Sequence, residues 1–141
     1  MPDAISTRPL LDKLGVRPDS RVAVAGVDDR EFRRLLQDRV GTVIELAAGD
    51  VPPGGLDLIF LAADTLDELT RIGVLRPSLV PNGAIWVVSR KGRQATIRDV
   101  DVIDAAKSMD LVDNKVVSFS PTHTAQRLVI PRALRLAAQR R

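Results

Sequence analysis

Three stretches of the chain are apolar almost without interruption: Val22–Val27, Leu56–Ala63 and Ala84–Ser89. A strand with one face in water alternates apolar and polar side chains, whereas an unbroken apolar run suits a strand covered on both faces. Between these runs lie segments whose apolar residues recur at helical spacing. Strands alternating with helices predict an α/β architecture in three layers. A mostly parallel sheet has right-handed crossovers and helices on both sides.

The remaining elements follow from local chemistry. Leu10, Leu11 and Leu14 share a helical face in a short helix that Gly15 ends. Pro18-Asp19-Ser20 is a turn. Asp28 or Asp29 can cap a helix with the apolar stripe Phe32, Leu35, Leu36 and Val40. Thr42–Leu46 predicts a second strand, and the Pro52-Pro53-Gly54-Gly55 loop follows with no room for a further helix and strand. Thr65 and Glu68 read as a capping box for a helix lined by Leu66, Leu69 and Ile72. Leu79–Gly83 reads as a turn feeding the third apolar run. Thr96 or Asp99 is expected to cap a helix that buries Val100, Ile103 and Ala106. Lys115–Ser120 and Gln126–Ile130, joined by Pro121–Thr124, predict an antiparallel hairpin at one edge. Residues 1–7 are expected as a loose terminus and residues 132–141 as a basic tail, on a single domain spanning 1–141.

Composition narrows the function classes. The chain has no cysteine, which excludes disulfides and cysteine-ligated zinc or iron–sulfur sites. No apolar run is long enough to span a bilayer, and the first residues hold no apolar signal core. These features fit a cytoplasmic address without a membrane partner. Aromatic residues are 3% of the chain, too few for the stacking platforms of single-strand nucleic-acid binders. The net charge is +3, with Arg132, Arg135, Arg140 and Arg141 near the end. That charge is neither strong nor combined with a nucleic-acid motif.

Several segments carry a resemblance. Thr42-Val43-Ile44-Glu45 is a strand ending in an acid. Leu56-Asp57-Leu58-Ile59-Phe60 and the stretch Leu79-Val80-Pro81-Asn82-Gly83-Ala84-Ile85-Trp86-Val87-Val88 match further strand motifs. Together with the terminal hairpin they resemble a shortened S-adenosylmethionine-dependent methyltransferase, a Rossmann-like fold, with the third strand missing. The whole chain is also similar to an uncharacterised bacterial family of small methyltransferase-like domains. Lys13–Val24 matches its opening and Asp110–Val116 its closing segment. The resemblance implies S-adenosylmethionine as a possible cofactor, with Glu45 holding the ribose hydroxyls. The glycine loop is degenerate. Counting Gly26 as its first glycine, Val24 stands where the family has an acid, and Asp28 and Arg30 replace the second and third glycines. Asp28 would then narrow the space for the cofactor.

The candidate cofactor-binding residues are accordingly Gly26, Asp28, Glu45 and Asp64. Asp64 stands at the carboxyl end of its strand, where such sheets bind ligands. Asp57, at the start of that strand, reads as structural. Lys91 follows a strand's carboxyl end and, with Lys115, Thr122 and His123, forms a second candidate set for ligand or partner contact. His123 has no second histidine for a metal and no cysteine to activate, so no metal site is expected. As a general base it needs a substrate beside it. Otherwise it is an exposed hairpin residue. No P-loop, complete G-x-G-x-x-G or G-x-S-x-G motif occurs.

The leading expectation is a non-catalytic methyltransferase-like domain. It would act through a protein partner, through self-association or through a small ligand at the carboxyl ends of the central strands. The mixed charge there favours a zwitterionic or cationic ligand over a polyphosphate. The alternative is a working methyltransferase with an atypical pocket. A third reading, nucleic-acid binding, rests on the sequence pI near 9.9 and the arginine tail alone.

Overall fold

The computed structural model describes residues 9–139. The expectations for residues 1–7 and for Arg140 and Arg141 lie outside these. In chain order the elements are α1 (Leu10–Lys13), β1 (Val22–Ala25), α2 (Arg30–Val40), β2 (Val43–Glu45), β3 (Leu56–Ala62), α3 (Leu66–Leu69), α4 (Arg71–Leu75), β4 (Leu79–Arg90), α5 (Asp99–Ser108), β5 (Val112–Ser118), β6 (His123–Val129) and α6 (Arg132–Gln139). Residues 46–55 hold only turn and loop, as the Pro-Pro-Gly-Gly stretch requires.

The six strands form one sheet in the order β2-β1-β3-β4-β6-β5. The β2, β1, β3 and β4 strands run parallel. The β6 strand returns antiparallel between β4 and β5. This is a three-layer, methyltransferase-like α/β sheet with a reversed hairpin at its end. The central strands are buried as their apolar runs demand: β1 on all four residues, and Ala84–Ser89 of β4 throughout.

The period-2 alternation of strand side chains sorts the core into two layers. On one side Val22, Val24, Phe60, Trp86 and Val88 pack against Leu11 and Leu14 near α1 and against Phe32 and Leu36 of α2. On the other, Ala23, Ile59, Leu61, Ile85 and Val87 pack against Leu69, Ile72 and Leu75 and against Val102 and Ala106 of α5. The Trp86 indole N–H, buried in the first layer, donates to the Leu14 carbonyl at 3.1 Å, which tethers the first helical turn to the sheet. Asp57 is structural: its carboxylate accepts the Arg21 N–H at 2.7 Å, tying the amino ends of β1 and β3.

Several local expectations change. Asp29, not Asp28, caps α2, accepting the Phe32 N–H at 2.9 Å. Leu35 is only half-buried, because Phe32 and Leu36 centre the stripe that meets the sheet. Leu66 and Val100, expected inside, are 64% and 43% exposed. Each stands in the first turn of its helix, before the helix axis settles onto the sheet. In α5 the buried positions are Val102 and Ala106, an i, i+4 pair, and the N-cap is Arg98. Residues 79–83 belong to β4 and form an irregular segment, since β3 advances from Leu56 to Leu58 while β4 advances from Leu79 to Ala84. The hairpin strands begin earlier than expected, at Val112 and His123.

Candidate functional site

The chain of β1 leaves the sheet at Gly26, whose φ is 84°. A side chain here would be strained and would meet the Ala62 Cβ at 3.4 Å. The bare turn exposes the carboxyl ends of β1, β3 and β4. There a crevice of about 380 Å³ opens between Gly26–Asp29, Asp64, Glu68, Arg90 and the turn at Thr122 and His123. Volumes of this order hold small ligands. Its apolar wall includes Val88 and Phe119. Phe119 meets Phe32 at a tilt, 4.8 Å between ring centres, and Phe32 meets Phe60 edge-on at 5.0 Å. The chain's three phenylalanines therefore form one cluster beneath this edge.

Asp64 is the most constrained acid. Its Oδ1 accepts the Arg90 N–H at 2.8 Å, and its carbonyl accepts the Thr96 hydroxyl at 2.5 Å. Its own N–H donates to Glu68 Oε1 at 2.8 Å. Asp29 is committed to the helix cap. Asp28 has no hydrogen bond or ion pair among the described residues and stands exposed on the crevice wall. Four carboxylates thus face one guanidinium, and a positively charged or zwitterionic ligand is the electrostatic match. Opposite them, His123 Nδ1 lies 2.8 Å from the Thr122 hydroxyl. The His123 N–H donates to the Ser120 hydroxyl at 3.1 Å. His123 and Arg90 are cross-strand partners, so the two cation-capable side chains arrive together.

Of the sequence candidates, Gly26, Asp28, Asp64, Thr122 and His123 line this crevice. Glu45, Lys91 and Lys115 do not. The Glu45 carboxylate is paired with the Arg33 guanidinium, which also donates to the Val27 carbonyl at 3.0 Å. Lys91 is one residue past Arg90 and so projects from the opposite face of the sheet, where its Nζ donates to the Ser118 hydroxyl at 2.7 Å. Lys115 lies mid-strand in β5 and donates to the Lys13 carbonyl at 3.0 Å. Arg90 was legible in principle: it shares the parity of Trp86 and Val88, and thus their face. Glu68 joins the site only because α3 folds back on Asp64. Among the described residues no group of acids and histidine is arranged to hold a metal ion, and no helix is long and apolar enough to cross a membrane.

No protein-family model and no curated protein sequence matches the chain. Solved structures do. The chain is similar to a S-adenosylmethionine-dependent methyltransferase from Aquifex aeolicus, with 13% identity over 86% of this chain and 88% of that one at a TM-score of 0.64. It is similar to a TehB-like S-adenosylmethionine-dependent methyltransferase from Corynebacterium glutamicum, with 11% identity, 86% and 85% coverage and a TM-score of 0.57. It also matches the neocarzinostatin O-methyltransferase NcsB1, solved with S-adenosyl-L-homocysteine and 1,4-dihydroxy-2-naphthoic acid. There it covers 79% of this chain and 49% of the other, with 11% identity and a TM-score of 0.63. The fold is that of the S-adenosylmethionine-dependent methyltransferases.

That fold implies S-adenosylmethionine, and the residues present fit it only in part. The bare Gly26 turn and the acids around it suit a sulfonium and an ammonium group. Glu45, to which the resemblance assigns the ribose hydroxyls, does not fit that role as arranged: its carboxylate is paired with Arg33 and lies outside the crevice.

Proposed function

We propose that this chain is a small-molecule-binding domain on the methyltransferase fold, whose carboxyl-end crevice takes a cationic or zwitterionic ligand. S-adenosylmethionine is the first candidate, and methyl transfer is the activity it would serve. The observation that carries this reading is the unpartnered Asp28 carboxylate beside the bare Gly26 turn, in a crevice of four acids and one arginine. His123 would meet the anionic or proton-bearing end of the ligand, together with Arg90, whose Nε also lies 4.0 Å from Asp64 Oδ2. Isothermal titration with S-adenosylmethionine and S-adenosylhomocysteine tests it. Binding tighter than about 1 mM, roughly 4 kcal/mol, supports the reading. The sulfonium form should bind more tightly than the neutral thioether.

A second reading is a non-catalytic binding domain that keeps the crevice but not the cofactor. The Arg33–Glu45 pair favours it, since it removes the acid that would hold a ribose. Silence toward both adenosyl compounds, with retention of a small zwitterion or ammonium compound, would select it.

A further inference from the structure

A second cavity, of about 460 Å³, lies at the opposite, amino-end edge of the sheet, where Arg17, Asp19, Ser20, Asp57, Asn82 and Arg127 line it. We propose that this cavity is a separate binding site for a small molecule bearing a carboxylate or phosphate group, held by Arg127 and Arg17 of its lining, with the charge of Arg135 behind Arg127. This goes beyond the carboxyl-end crevice and does not depend on its ligand.

The case rests on cations that form no ion pair, although Asp19 and Asp57 share the lining. Arg127 is half-buried in β6, between Trp86 of β4 and Lys115 of β5. Its hydrogen bond among the described residues is a long one of 3.5 Å to the Asn114 side chain. Burial, and next the positive charge of Arg135, hold its guanidinium below the ordinary arginine value. Arg135 comes from α6 and has its Nε buried with no hydrogen-bond partner among the described residues. Neither arginine, nor Lys115 or Arg17, forms an ion pair among the described residues.

Bringing like charges together and desolvating them is unfavourable unless an anion joins them. The acids at hand do not serve. Neither forms an ion pair with these cations: one oxygen of Asp57 accepts the Arg21 N–H, and Asp19 is an exposed residue of the rim. A guanidinium fork matches an oxyanion in two parallel hydrogen bonds. The Asn82 amide and the Ser20 hydroxyl add neutral donors around the same space. The Lys115 ammonium, committed to the Lys13 carbonyl, contributes long-range field and no direct contact.

The probe is inorganic phosphate, titrated into ¹⁵N-labelled protein at constant ionic strength against sodium chloride, with the arginine Nε–Hε signals followed by NMR. Saturable shifts of Arg127 and Arg135, absent with chloride and absent at Arg33, are expected. Arg127→Gln should weaken phosphate binding at least tenfold. Trp86 fluorescence reports whether that variant is folded. If it is not, Arg135→Gln is read in the same way, with a loss of at least threefold expected. Shifts that fail to saturate, shifts equal to those with chloride, or unchanged affinity in a folded variant would overturn the proposal. So would displacement of phosphate by short RNA with an affinity that grows with RNA length, which would make this edge a nucleic-acid surface.

Discussion

Arg33 spans two elements: its guanidinium pairs with the Glu45 carboxylate at the end of β2 and donates to the Val27 carbonyl at 3.0 Å. One side chain of α2 thereby ties the end of β2 to the loop that follows β1, next to the crevice. Arg33→Ala should open that side. S-adenosylmethionine affinity is expected to rise severalfold, read by calorimetry. Stability should fall by less than about 1 kcal/mol, because the pair is largely exposed.

Asp28 has no hydrogen bond or ion pair to lose among the described residues. Asp28→Asn keeps its shape and removes its charge. It should weaken a cationic ligand severalfold and change folding stability by about 0.5 kcal/mol or less. A titration series with S-adenosylmethionine, a sulfonium, and S-adenosylhomocysteine, a thioether, separates the two effects. The asparagine variant should bring their affinities together.

Ile59 is fully buried at the centre of β3, between β1 and β4. Ile59→Ala should cost about 2 to 5 kcal/mol in chemical denaturation, while Leu35→Ala, at a half-buried position, should cost less.

Gly83 packs against main chain. A Cβ there would lie 3.0 Å from the Leu56 carbonyl oxygen and 3.1 Å from those of Asp57 and Val80. None of these atoms can swing away as a side-chain tip can. Gly83→Ala should destabilise by about 1 to 3 kcal/mol, measured as a lowered urea midpoint.

Asp101 accepts the Arg98 N–H at 2.8 Å and faces the Arg98 guanidinium at 3.3 Å. These bonds hold its carboxyl below the ordinary aspartate value. A depressed folded value means that its contribution is present above the unfolded value, about 3.9, and is lost as pH falls through the folded one. Asp101→Asn should therefore flatten the acid limb of the stability curve below about pH 4 and leave its neutral-to-basic limb parallel to the wild type.

The sequence by itself determined the strands of the sheet and its parallel core. Nearly unbroken apolar runs such as Leu56–Ala63, interrupted by Asp57 alone, suit a strand buried on both faces, and the short polar turn between the last two strands leaves them room only to pair antiparallel. It also determined the bare turn at Gly26, because that φ is open to glycine at little cost. Where these signals are local, they are legible.

Only the tertiary structure decided which charged residues share a site. Arg90 and Lys91 are neighbours in the chain, yet strand pleating sends them to opposite faces, so one lines the crevice and the other bonds Ser118. Glu45 looked free until α2 laid Arg33 across it. Arg127 and Arg135 lie on different elements, and their charges interact because α6 packs against β4, the strand next to β6. An isolated side chain is the same in any fold. Its electrostatic partners are set by packing, and packing is the property that a linear pattern does not carry.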